Sequence, residues 1–195
     1  MSIKNMASGL GISDVSVVIP TNHQREAELQ NVVTHLKSLG FEDIILAEGS
    51  KRMYNRYEAV WGAKNEVIYT QDDDCIISNI KELLGAYRPD RITANSKMER
   101  MLWYEDLYAG RVCLVGYGAI FHRDLVKNMN KYLDEHGEDH LFYREADRVF
   151  TWLNEKKIIV ADKSIKDFPA AFGGLSFEPD HWKSMDVMIR RLKNL

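Results

Sequence analysis

The chain has 195 residues, 45% of them hydrophobic and 28% charged, with a formal net charge of −3. That length is the scale of one domain with a proper core, and the mix excludes disordered and fibrous classes. The charge balance gives no global pull toward nucleic acid or anionic membrane, and no stretch reaches the ~18 apolar residues of a membrane span.

Residues 1–13 lack the long apolar core of a signal peptide and read as a loose tail, so a cytoplasmic protein is expected. The β-branched run Val15-Ser-Val-Val-Ile19 is stopped by Pro20 and reads as a first strand. Leu29, Val32, Val33, Leu36 and Leu39 recur at helical spacing over 24–39, and Gly40 terminates that helix. Asp43 to Ala47 is a second strand ending at Glu48-Gly49-Ser50, which makes a β-α-β opening with a parallel crossover. No Gly-x-Gly-x-x-Gly follows the first strand, which disfavours a classical dinucleotide domain. The stretch 51–64 reads as a short helix carrying Lys51, Arg52 and Arg56.

Next comes Glu66-Val-Ile-Tyr-Thr-Gln-Asp72-Asp73-Asp74-Cys-Ile-Ile-Ser78, an apolar strand that ends in three consecutive carboxylates. In an open α/β sheet, ligand crevices form at the carboxyl ends of the strands. Three adjacent anions repel, and apolar neighbours sharpen the repulsion by excluding water. A divalent cation relieves it, and hard oxygen donors suit Mg²⁺ or Mn²⁺ bridging a carboxylate to substrate phosphates. The plain alternative is a solvated acidic turn that starts the next helix, with Ser78 as its cap. Arg52 and Arg56 beside the acids suit phosphate oxygens, which a guanidinium binds as a fork.

Residues 78–87 form a helix with Ile80, Leu83 and Leu84 on its apolar side, and 91–95 a further strand. Residues 111–121 read as a strand interrupted by Gly116 and Gly118, where a ligand or another backbone segment can approach closely. Residues 124–133 are helical in pattern. Ala146, Val149, Phe150 and Leu153 mark a helix over 143–153 with Glu145 and Asp147 near its start, and 158–161 is a late strand. The glycines before Pro179 suggest a mobile segment over 172–195, ending in a helix. There His181 is a candidate metal ligand, and Lys183 and Arg190 are candidate diphosphate clamps. The two cysteines, Cys75 and Cys113, read as buried thiols of a reducing compartment rather than a disulfide or zinc site.

The order of these motifs resembles a GT-A glycosyltransferase, and more narrowly the exostosin-type N-acetylhexosaminyltransferase domain. Asn55-Arg56-Tyr57 resembles that family's Asn-Arg-Phe, and the strand ending in Asp72-Asp73-Asp74 its acidic strand. Glu82-Leu-Leu-Gly-Ala-Tyr-Arg-Pro-Asp-Arg91 is similar to its helix and Pro-Asp-Arg turn, and Gly118-Ala-Ile-Phe-His122 to the strand lining its acceptor side. Glu145-Ala-Asp147 looks like its late Glu-Asp element with one residue inserted. The resemblance implies one mainly parallel α/β domain and a UDP-sugar donor held with Mn²⁺ or Mg²⁺. It also implies transfer to a hydroxyl acceptor (a glycan, a small molecule or a hydroxylated DNA base) with retention. Carried over residue by residue, it implies that Asp74 and Asp72 face the metal and that Asp73 assists. Pro20, Thr21, Glu48, Arg52, Asn55 and Arg56 would contact the donor, with Glu48 at the base, and Asp147 and Glu145 would lie at the reaction. Sugar-phosphate nucleotidyl transfer, or nucleotide-sugar binding without turnover, stays open from the residues themselves. Nucleic acid is a possible but disfavoured partner.

Overall fold

The computed structural model describes residues 10–96, 111–161, 165–167 and 180–195. In chain order the strands are β1 (Val15–Pro20), β2 (Ile44–Ala47), β3 (Val67–Thr70), β4 (Cys75–Ile76), β5 (Ile92–Ser96), β6 (Ala119–His122), β7 (Lys157–Ala161) and β8 (Lys166–Asp167). The α-helices are α1 (Glu26–Leu39), α2 (Asn55–Ala59), α3 (Ile80–Ala86), α4 (Asn130–His136), α5 (His140–Leu153) and α6 (His181–Lys193).

Six strands form one sheet in the order β2-β1-β3-β6-β5-β7. The β1–β2, β1–β3 and β5–β7 pairings are parallel, while β6 runs antiparallel to both β3 and β5. Five strands therefore point one way, giving the mainly parallel sheet flanked by helices that the sequence implied. β4 and β8 pair separately as a two-stranded antiparallel ribbon.

Helices cover both faces of the large sheet, which is why β1 and β3 are buried along their whole length and mostly apolar, with only Ser16 and Thr70 polar. Successive side chains still alternate between faces. Val15, Val17, Ile19 and Tyr69 join Leu29, Val32 and Leu36 of α1 and Leu83 of α3 in one cluster. Val18, Ile68, Ala94 and Phe121 join Tyr57, Phe150 and α6 residues Met188 and Leu192 in the other. Each such aliphatic side chain contributes about 1.5–3 kcal/mol on burial. Gly40 ends α1 at φ +102, and its N–H closes onto the carbonyls of Leu36 and Lys37.

Three expectations change. The run 111–121 is a strand only over Ala119–His122, because residues Val115–Tyr117 turn as a 3₁₀ segment toward the acid triplet. Residues 10–13 are not loose: Leu10 and Ile12 pack on the α1 side of the core, while 1–9 lie outside the described residues. In the segment expected to be mobile, 172–179 lie outside the described residues, but α6 is packed. Its Met185, Met188, Ile189 and Leu192 are buried, and Arg191 ties it to Asp139 at 2.7 Å and to the Tyr132 hydroxyl at 2.9 Å.

Among the described residues no helix is long and apolar enough to cross a membrane. Cys75 and Cys113 are free thiols, and burial pushes Cys113 up to about 12.

Candidate active site

The chain leaves β1 for β2 on one side of it and later returns as β3 on the other, so the carboxyl ends of β1 and β3 form the switch point where α/β sheets hold ligands. Thr21 follows β1, and the acid triplet follows β3. The two meet where the Thr21 hydroxyl donates to Asp73 at 3.0 Å. The buried amide of Gln71 shapes the acidic turn: it accepts from the Tyr69 hydroxyl at 2.7 Å and donates to the Cys75 carbonyl at 2.8 Å. The Asp72 N–H donates to the Gly116 carbonyl at 2.9 Å. A side chain at Gly116 would overlap the Asp72 carboxylate at its present position and displace it, so glycine there leaves room for the acid.

Two arginines take up the acids. Arg56, with 0% of its side chain exposed, pairs with Asp72 and with Asp147, the latter at 3.4 Å. Asp147 also accepts from the Tyr57 hydroxyl at 2.7 Å. Arg25, at the start of α1, pairs with Asp74 at 2.5 Å and Asp73 at 3.3 Å. Four carboxylates thus face two guanidiniums, a surplus of two negative charges. Asp72 and Asp74 keep 40% and 42% of their side chains exposed, so the surplus opens to solvent.

Burial raises Asp147, and the guanidinium of Arg56 opposes it. Burial likewise raises Asp73, against the Thr21 hydrogen bond. Asp74 rises to about 6 through burial and the neighbouring Asp72 charge, with Arg25 opposing.

Asp74 therefore holds its proton more tightly folded than unfolded, and its ionisation weighs against the fold. The penalty is absent below the ordinary value of 3.8 and complete above about 6. Asp74→Asn is expected to raise the melting temperature at about pH 7.5. Scanning calorimetry should show that gain shrinking as pH falls through 6 and gone near 4. A gain independent of pH contradicts the assignment.

Among the described residues no group of three or more His, Cys, Asp or Glu side chains is arranged to hold a metal ion. Asp72 and Asp74 are the exposed carboxylates of the cluster, each paired with a guanidinium, and Mg²⁺ or Mn²⁺ is commonly held by one or two carboxylates completed by phosphate oxygens and water. Arg25 already stands as a cation on Asp74.

The other sequence candidates distribute unevenly. Glu48, at the end of β2, is half exposed and meets His23 at 2.9 Å beside the β1 end, where His23 adopts φ +60. Pro20 is the buried last residue of β1, opposite Ala47. Asn55 is a loop clamp, donating to the Gly49 carbonyl at 2.9 Å and accepting from the Lys51 N–H at 3.3 Å. Arg52 is exposed in the 3₁₀ turn before α2, at φ +50. Lys51 pairs with Glu58 and Glu138, away from the acids.

Glu145 does not join Asp147. It is buried at a kink in α5, where it pairs with Arg148 and accepts from the Ser184 hydroxyl of α6 at 2.7 Å. Lys183 is exposed beside Asp180 at 3.8 Å, and Arg190 is exposed on α6; no described contact links either to the acids. The His181 side chain lies outside the described residues. Sequence reasoning passed over Arg25 and Tyr57. The signal for Arg25 was its place between the β1 end and α1; for Tyr57 it was a hydroxyl where the resembled motif carries phenylalanine.

Fold and geometry together define an α/β domain with a cluster of acids and arginines at the carboxyl edge of its sheet. No family model matches the chain, and no curated protein matches it in sequence. Among solved structures it is similar to the catalytic domain of Drosophila β1,4-galactosyltransferase 7 in complex with xylobiose, at 16% identity and a TM-score of 0.49. The match covers 86% of this chain and 74% of that one.

Proposed function

We propose that this chain is a glycosyltransferase that moves a sugar from a nucleoside diphosphate sugar, UDP by family resemblance, to an acceptor hydroxyl. The observation that carries the reading is the gathering of Asp72, Asp73, Asp74 and Asp147 on Arg25 and Arg56 at the sheet's switch point. On this reading Pro20, Thr21 and Glu48 contact the nucleoside part of the donor, with Glu48 at the base. Asp72 and Asp74 would hold the divalent ion. When bound, that ion supplies positive charge to the departing diphosphate.

In the reaction, the bond from the anomeric carbon to the β-phosphate oxygen breaks, and its electron pair leaves with the nucleoside diphosphate. The acceptor hydroxyl oxygen bonds to that carbon, and its proton passes to Asp147. A carboxylate whose proton affinity burial has raised suits that base role. It predicts inversion at the anomeric carbon, whereas the exostosin resemblance implies retention.

The test is incubation with a panel of nucleotide sugars and Mn²⁺, following nucleoside diphosphate release and the product's anomeric proton by NMR. Release of one diphosphate with an inverted sugar supports the reading in full. A retained sugar removes Asp147 from the base role. Consumption of a nucleoside triphosphate with a sugar phosphate, and none of any nucleotide sugar, replaces the reading with nucleotidyl transfer. Tight nucleotide-sugar binding without release makes the chain a binding protein.

A further inference from the structure

Tyr57 is fully buried, with 0% exposure, and its ring packs on Phe150 at a centroid distance of 4.7 Å. A phenol in such a place needs a partner. It finds Asp147 Oδ1 at 2.7 Å. The other oxygen, Oδ2, faces Arg56 Nη1 at 3.4 Å, longer than a hydrogen bond, and that buried nitrogen has no hydrogen-bond partner. Neither Tyr57 nor Arg56 reaches solvent, whereas Asp147 keeps 24% of its side chain exposed. Within this trio only Asp147 can touch a ligand.

We propose that Tyr57 is a positioning residue for Asp147: its hydroxyl anchors Oδ1 and leaves Oδ2 as the oxygen offered to the acceptor hydroxyl. This rests on the glycosyltransferase reading for what Asp147 does, but not for how it is held. The anchor fixes the carboxylate's rotation, because one oxygen is tied to a side chain that the apolar core immobilises. It also selects the charged form, since a hydroxyl donor favours carboxylate over carboxylic acid.

Among the described residues, four other groups act on Asp147 or lie beside it. Arg56 comes from α2, Asp72 from the turn after β3, Arg148 from its own helix, and the Cys113 thiol from the segment before β6. Arg56 and Arg148 favour the anion, while burial and Asp72 oppose it. Removing the Tyr57 hydroxyl takes away one of the influences that keep Asp147 ionised.

The test is Tyr57→Phe, which keeps the ring and its packing. Asp147 is followed by carboxyl ¹³C NMR titration, with its resonance assigned through Asp147→Asn. In parallel, nucleotide-sugar hydrolysis is measured across pH with Mn²⁺. The titration midpoint is expected to rise by about one pH unit, the scale of one hydrogen bond to a charged group. The acid limb of the hydrolysis profile should move with it, kcat should fall and donor Kd should stay unchanged.

An unmoved titration overturns the positioning role whatever the activity. A moved titration with an unmoved hydrolysis profile keeps the anchor and removes Asp147 from the chemistry. Absence of hydrolysis and of donor binding in the unmutated protein, with the titration still moved, sinks the glycosyltransferase reading and leaves the anchor standing.

Discussion

Replacing Arg56 with methionine is expected to destabilise the fold by about 3–5 kcal/mol, the cost of stripping a buried ion pair of one partner. Arg56 lies between Asp72 and Asp147 and is wholly enclosed. Methionine fills much of its volume but leaves two carboxylates facing each other with no cation between them. Against a typical stability of 5–15 kcal/mol, that loss consumes a large share of the total. Urea denaturation should show it as a lowered midpoint with an unchanged slope.

The loss has a direction with pH. Without the guanidinium, Asp147, already raised by burial, binds its proton more tightly still in the folded state, so stability falls as pH rises and part of the deficit returns on acidification. Arg56→Lys should land between the two, since an ammonium keeps the charge but cannot bridge both carboxylates as a planar fork does. A change below about 1 kcal/mol in the methionine variant would mean that the acids are already hydrated or spread apart.

The second large effect is on turnover. Asp147→Asn keeps the shape of the side chain and an oxygen for the Tyr57 hydroxyl, so the fold should persist. On the proposed reading it removes the proton acceptor, and general-base catalysis contributes typically about 10²- to 10⁴-fold. Nucleotide-sugar turnover is expected to fall by that factor while donor affinity, read by calorimetric titration, stays within about twofold. An equal loss in both moves Asp147 from the reaction into the donor pocket.

Much of this architecture is written locally in the sequence. β1 and β3 announce themselves as runs rich in β-branched and aromatic residues because both faces of a parallel strand are buried. Gly40 marks the end of α1 because the chain must pass through a left-handed conformation there. The position of the acids at a strand's carboxyl end follows from the same local pattern. The partners of the acids are different, because pairing across long sequence separations leaves no periodic trace. Arg25 meets Asp74 from 49 residues away, and Tyr57 meets Asp147 from 90.

A divalent ion is one remedy for three adjacent carboxylates; the chain already supplies another in two guanidiniums, and a run of letters cannot show which side of a turn an arginine reaches. Glu145 and Asp147 look equivalent in sequence. They separate in space because positions two apart on a helix point in opposed directions, and the kink at Glu145 turns its carboxylate toward Ser184 of α6. The turn at Val115–Tyr117 was hidden inside an apolar run, since Gly116 is there for the room it leaves Asp72.

The most direct measurement is calorimetric titration of UDP into the protein with and without Mn²⁺, alongside Asp74→Ala. Mn²⁺-dependent binding by the unmutated protein, lost in the variant while its melting temperature holds or rises, is the expected result. Binding of UDP that ignores both the ion and Asp74, or no binding of any nucleoside diphosphate, contradicts a donor site built on the acid triplet.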